Sequence, residues 1–289
     1  VGLPDIDEPS VMKETVRRLQ SVLDLPLQLD SSDPKALEEG LRIYNGKPVV
    51  NSVNGEEKSL KTVLPLIKKY GAAVVGLTLD ENGIPDKAED RFKIAEKILK
   101  AALSYGIRKE DVYIDCLTLT VSVQQKEAAE TLKAVKMVKE KLGLKTVLGV
   151  SNISFGLPNR DLITRSFLLL ALNAGLDMPI INPNKEAMTD TVAAFNVLAN
   201  RDKGSKVYVN KFSNKAEISA KIENKTADNP AEALSNAVRG GIKNDAKIFA
   251  KELLKTEDPM KIVDGILIPA LDDVGKKFEK GILFLPQLL

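Results

Sequence analysis

The 289-residue sequence contains no histidine, no tryptophan and a single cysteine, Cys116. One thiol cannot form an internal disulfide. Without histidine there is no Ser-His-Asp triad and almost no zinc site built on nitrogen and sulfur ligands, so no metal site is expected. No stretch of about 18 apolar residues is present, which argues against a membrane span. The chain opens on Val1-Gly2-Leu3-Pro4 without the basic, apolar and small-residue succession of a secretory signal. The formal net charge is only +2 and aromatic residues make up 4% of the chain, so no basic field invites a nucleic acid. The expectation is a soluble, cytoplasmic protein with neither a membrane nor a nucleic-acid partner. What remains for chemistry is carboxylates, amides, hydroxyls, lysine and arginine. Any catalysis must rest on positioning and hydrogen bonding, or on a cofactor.

Strand and helix patterns alternate along most of the chain. An amphipathic helix from about Pro9 to Val22 comes first. Strand patterns follow at Leu25 to Leu29, Pro48 to Ser52, Ala73 to Leu79, Val112 to Asp115, Lys145 to Val150 and Met178 to Asn182, each leading into a helix pattern. Such units fit either an open doubly wound sheet or an eight-fold barrel. No glycine-rich turn follows a first strand, which disfavours the dinucleotide-binding sheet. The expected fold is therefore α/β, a TIM-type (β/α)8 barrel whose first two strands are missing and would lie before Val1. From Asn200 to Asn229 the sequence turns to Lys, Asn, Ser and Gly, apart from Val207 to Val209, and reads as a barrel-closing tail and a linker. Helix patterns at Pro230 to Val238, Asn244 to Lys255 and Pro259 to Glu279, with a fourth cut off at Leu289, read as part of a small α-helical bundle. The expected domains are residues 1–212, a linker 213–229, and 230–289.

Asp30, Asn51, Asp80, Asp115, Asn152 and Asn182 fall at or just after the C-terminal ends of successive strands. In a barrel those ends converge on one mouth, where active sites sit. Each residue alone is open to a second reading as a local Asx turn, and Ser151-Asn152 as no more than a cap on the loop before the helix near Pro158. Six in succession at one end favour a shared site. An acidic, amide-rich mouth with few lysines or arginines suits a neutral heterocycle rich in NH donors better than a phosphate. Asn152 is the first candidate for chemistry.

The segment Val1 to Glu8, Leu29-Asp30-Ser31-Ser32, Val50-Asn51-Ser52, Tyr113-Ile114-Asp115, Gly149-Val150-Ser151-Asn152 with Pro158-Asn159-Arg160, and Asn173-Ala174-Gly175-Leu176-Asp177 together resemble the pterin-binding domain of cobalamin-dependent methionine synthases. They are also similar to the methyltetrahydrofolate:corrinoid methyltransferases of acetogens, which share that barrel. The resemblance covers about Val1 to Phe212. Gly265-Ile266-Leu267-Ile268-Pro269-Ala270-Leu271, with Gly275, Phe278 and Gly281-Ile282-Leu283-Phe284-Leu285-Pro286-Gln287, resembles the helical cap that precedes a cobalamin-binding domain.

This resemblance implies methyl transfer from N5 of 5-methyltetrahydrofolate to cob(I)alamin, with the cobalamin held mainly by a domain of the same full-length chain beyond Leu289. It implies that Asn152 is catalytic, hydrogen-bonding near N5 in both of its protonation states. Asp30 and Asp115 would accept from pterin NH groups, and Asn51 would add a neutral contact. Arg160 would order its loop or act near the folate tail. Phe284 matches the aromatic that lies over the corrin, a place in the bundle core being its other reading. Cys116 reads most simply as core packing, and the role of Asp80 stays open. Two other enzymes share the motifs or the barrel. A standalone methyltetrahydrofolate:corrinoid/iron-sulfur protein methyltransferase would carry no fused cap, and a dihydropteroate synthase needs basic residues where Ser151-Asn152-Ile153-Ser154 offers none. A non-catalytic pterin- or corrinoid-binding module is the alternative from another class.

Overall fold

The computed structural model describes residues 6–212, 229–280 and 283. After helix α1 (Glu8–Val22), strands and helices alternate: β1 (Gln28–Asp30), α2 (Pro34–Ile43), β2 (Val49–Asn54), α3 (Glu57–Tyr70), β3 (Ala73–Leu77), α4 (Ala88–Ser104), β4 (Val112–Asp115), α5 (Gln125–Met137), β5 (Lys145–Gly149), α6 (Arg160–Ala174), β6 (Met178–Ile180) and α7 (Glu186–Leu198). The six strands form one sheet in the order β1-β2-β3-β4-β5-β6, with every neighbouring pair parallel. That order decides between the two expected architectures. Crossovers of one hand between strands laid down in sequence put every connecting helix on the same face, the single winding of a barrel wall; a doubly wound sheet reverses its strand order partway.

Local sequence explains the units. In β3, Ala-Val-Val-Gly-Leu, the first four residues are buried, as a parallel strand covered on both faces requires. Helix α4 lies close against it: a Cβ on Gly76 would stand 2.8 Å from Ile98 Cγ2, so a side chain there would push the helix off the sheet. Helix α2 starts where Asp33 accepts a hydrogen bond from the Lys35 N–H at 2.9 Å and Pro34 fills the first turn. Leu37, Leu64, Ile67, Ile98, Ile114, Leu148 and Leu168 are fully buried and form the body of the core.

Some elements differ from the sequence reading. Strand β1 begins at Gln28, later than Leu25, and β6 ends at Ile180, before Asn182. The end of the long fifth helix relaxes into a π turn, Val138–Leu142. The stretch read as a barrel-closing tail contains a helix, α8 (Lys206–Phe212). Its start is held by Asp202, whose carboxylate accepts from the N–H groups of Val207 and Tyr208 at 3.1 and 2.9 Å.

Compactness divides the chain into two units, Val1–Val192 and Ala193–Leu289. The first contains the sheet. In the second, helices α9 (Pro230–Arg239), α10 (Lys243–Leu253), α11 (Pro259–Ile262) and α12 (Ile268–Glu279) form the expected small bundle, with a π turn at Val263–Leu267 joining the last two. Its core is small: Leu234, Leu253 and Ile262 are buried, with Val238, Phe249 and Leu267 packed around them. Asn229 and Asp258 cap α9 and α11 through the N–H groups of Ala231 and Met260. Phe284 and the proposed linker residues 213–228 lie outside the described residues. Among the described residues no helix is long and apolar enough to cross a membrane.

Candidate functional site

The parallel register of β1 and β2 sets Asp30 directly beside Asn51 at the C-terminal ends of their strands. Asn51 Nδ2 donates to Asp30 Oδ2 at 2.9 Å. The next residue, Ser31, is buried; its hydroxyl donates to the Glu8 carboxylate and accepts from the Asp33 N–H at 3.0 Å. These contacts hold the turn after β1 while Asp30 itself stays exposed.

Asp115 ends β4, beside Leu77 on β3 and Val147 on β5, and is only 7% exposed. Burial pushes its carboxyl up to about 7. Hydrogen bonds from the N–H groups of Leu117 and Gly149 pull the other way without cancelling the desolvation. The Leu117 N–H lies 2.7 Å from Oδ1. Leu117 reaches it in a left-handed backbone conformation, φ 62°, uncommon for a residue with a side chain. Next to it, the Thr118 hydroxyl is buried without a hydrogen-bond partner among the described residues, an open polar position at the same strand end.

Asn152 lies in a 3₁₀ turn, Val150–Ser154, that leaves the end of β5. A Cβ on Gly149 would come within 3.2 Å of Asn152 Nδ2, so the amide folds back over the strand end. Gly149 thus joins the two candidates: its N–H points to Asp115 and its bare Cα makes room for Asn152. Arg160, the first residue of α6, braces the turn. Its Nε donates to Ser154 Oγ and its Nη2 to the Ser151 carbonyl, both at 3.1 Å, and the guanidinium lies 4.4 Å from the Phe155 ring centre.

Two further strand-end residues accept, as Asp115 does, from the N–H two positions on. Asp80 Oδ1 accepts from the Asn82 N–H, and Asn182 Oδ1 from the Asn184 N–H, each at 2.9 Å. Cys116 is fully buried, and burial pushes its thiol ionisation up. No group of three or more His, Cys, Asp or Glu side chains among the described residues is arranged to hold a metal ion.

The sequence reading missed Arg91. It is fully buried on α4 and reaches the carbonyls of Cys116 and Leu117 just behind Asp115. No local signal marks it, because apart from the Pro85 carbonyl its acceptors lie far along the chain. Chemically, the strand ends offer carboxylate acceptors at Asp30 and Asp115, and amides at Asn51 and Asn152 that both donate and accept. Such a set suits a flat, hydrogen-bonding heterocycle.

Comparisons with known proteins agree with this chemistry. A family described as pterin binding enzyme matches residues 4–182, and one described as B12 binding domain matches residues 230–289. The chain is 31% identical to methionine synthase of Mycobacterium leprae over 96% of its own length and 25% of the relative. For methionine synthase of Mycobacterium tuberculosis the figures are 28%, 96% and 26%. The chain therefore spans about a quarter of those curated relatives. A methylcorrinoid:tetrahydrofolate methyltransferase of Eubacterium limosum is 26% identical over 72% of the chain and 78% of the relative. Among solved structures, Yersinia pestis dihydropteroate synthase aligns with a TM-score of 0.54 at 13% identity, covering 69% of this chain and 79% of that one. The Xanthomonas albilineans dihydropteroate synthase gives 0.53 at 17% identity, covering 69% and 75%. At such identities these two speak for the barrel fold alone. Because the pterin-binding match takes in every strand of the sheet and well over half of the sequence, this chain belongs to the pterin-binding enzyme family.

Proposed function

We propose that the chain carries out methyl transfer from 5-methyltetrahydrofolate to cob(I)alamin as part of a cobalamin-dependent methionine synthase. In this reading residues 1–212 are the pterin-binding barrel, 213–229 a linker, and 230–289 the beginning of a cobalamin cap. The observation that carries it is that Asp115 and Asn152 both meet Gly149, at the ends of adjacent strands.

The leaving group in this reaction is an amine, a poor one until N5 gains positive charge. The Asn152 amide can face N5 in either protonation state, accepting from N5–H or donating to a bare N5, so it stabilises charge as it develops. Asp115 and Asp30 accept from ring NH and amino groups and fix the plane of the pterin; Asn51 steadies Asp30 and adds a neutral contact. Arg160 keeps the Asn152 turn in place.

The helical unit suits a corrin. On α12, Ile268, Leu271 and Phe278 share one face at helical spacing and are 46, 57 and 43% exposed, an apolar surface fit to cover a large flat ring. When bound, a cobalamin supplies the cobalt nucleophile that takes the methyl group. Residues 230–289 also favour a fused chain over a standalone methyltransferase acting on a separate corrinoid protein.

The test is to incubate the chain with 5-methyltetrahydrofolate and free cob(I)alamin and follow tetrahydrofolate. Turnover that falls by at least about a hundredfold in Asn152→Ala, as for loss of a transition-state donor, supports the reading. Tight folate binding without turnover would leave a binding module instead, and an unimpaired Asn152→Ala would remove Asn152 from the mechanism.

A further inference from the structure

We propose that Arg91 is a positioning residue for Asp115: a buried guanidinium clamp that holds the loop after β4 in the one conformation that aims Leu117 N–H at that carboxylate. The proposal rests on the reading of Asp115 as a pterin ligand.

Arg91 is 0% exposed, and its hydrogen bonds gather three separate segments of the barrel. Nε donates to the Pro85 carbonyl at 2.7 Å, in the loop between β3 and α4. Nη1 lies within reach of the carbonyls of Cys116 at 3.0 Å and Leu117 at 3.2 Å, and of Thr131 Oγ1 on α5 at 2.8 Å. Nη2 donates to Glu127 Oε2 at 2.7 Å, also on α5. The Thr131 hydroxyl itself stands 3.0 Å from the Leu117 carbonyl.

For stability alone this is an unfavourable choice. A buried ion pair does no better, as a rule, than well-packed apolar side chains of the same volume, and it is destructive when half-formed. What the guanidinium supplies is geometry. A rigid planar fork can grip two successive carbonyls and a carboxylate at once, which a lysine ammonium cannot. One of the two carbonyls it grips, that of Cys116, belongs to the same peptide as the Leu117 N–H that donates to Asp115 Oδ1; the other is the carbonyl of Leu117 itself, the loop residue held at φ 62°. Strained backbone of this kind persists where its surroundings over-determine it. Arg91, Glu127 and Thr131 do so here.

The test uses Arg91→Lys, which keeps a positive charge beside Glu127 but loses the fork, together with Asp115→Asn and the double variant. Three results are expected of Arg91→Lys: cooperative melting, hydrogen exchange at the Leu117 amide faster by about tenfold or more, and methyltetrahydrofolate affinity lower by about tenfold, the scale of one hydrogen bond to a charged group. The decisive arm is the double variant, which should bind no more weakly than Asp115→Asn alone, because the clamp acts through that carboxylate. Losses that multiply, or a Leu117 amide as protected in Arg91→Lys as before, would overturn the proposal. Should Arg91→Lys not fold, Thr131→Val removes a single partner of the clamp and must show the same pattern against Asp115→Asn. If the unaltered chain fails to bind methyltetrahydrofolate, the proposed function falls, while exchange at Leu117 still upholds or refutes the clamp.

Discussion

The side-chain amide of Asn51 bridges two strands, donating from β2 to Asp30 Oδ2 on β1 over 2.9 Å. The bond fixes a carboxylate that is otherwise free to rotate, and it is exposed, so the fold does not depend on it. Asn51→Ala should leave the melting temperature nearly unchanged and weaken methyltetrahydrofolate binding roughly tenfold. A calorimetric titration of the two proteins decides this; equal affinities would make the bridge incidental.

Asp115 ties stability to pH. Its carboxyl titrates at about 7 in the folded chain, against 3.8 for the free side chain. Between those values the folded protein keeps a proton that the unfolded protein has released. The contribution is fully present below about pH 4 and is lost as pH rises to about 7, at up to roughly 1.4 kcal/mol per unit. Asp115→Asn abolishes that slope. Denaturant melts across pH 4 to 8 should show the variant gaining on the parent as pH rises, and a constant gap would contradict the burial-driven shift.

Gly149 sits at φ −74°, a backbone conformation that alanine accepts. Gly149→Ala therefore tests space and not strain: the new methyl meets Asn152 Nδ2 at 3.2 Å and displaces the amide by a few tenths of an ångström. The expected result is near-parental stability with demethylation slowed by about an order of magnitude, since small misplacements at a reacting centre cost that much or more. Steady-state rates at saturating folate provide the measurement.

Arg160 makes two hydrogen bonds around Asn152 and stacks on Phe155. Arg160→Lys keeps the charge but neither the fork nor the flat face. If the side chain orders the turn, the lysine variant should lose kcat nearly as fully as Arg160→Ala, with KM altered much less. Recovery of kcat by lysine would point to charge alone.

Much of the barrel was legible because its signals are local. Ala73 to Leu77 and Lys145 to Gly149 are short apolar runs that break into polar residues, and the helices between them carry an apolar stripe, so element types and their order followed directly. The strand-end rule selected Asp30, Asn51, Asp80, Asp115, Asn152 and Asn182 alike, and three of these, Asp80, Asp115 and Asn182, accept from the N–H two residues on. A position in sequence does not say whether an Asx side chain faces its own backbone or a cavity. Arg91 was invisible for the opposite reason. On a helix an arginine reads as solvated surface, and its burial depends on Cys116, Glu127 and Thr131, which lie 25 to 40 residues away. Likewise α8 begins from a single capping aspartate, Asp202, within a polar stretch.

The position of Cys116 gives the chain a built-in clock. It is the only thiol in the sequence, it immediately follows Asp115, and it is sealed from solvent with its ionisation suppressed. Alkylating reagents can reach it only while the segment after β4 is open, so the rate of modification counts those openings one molecule at a time.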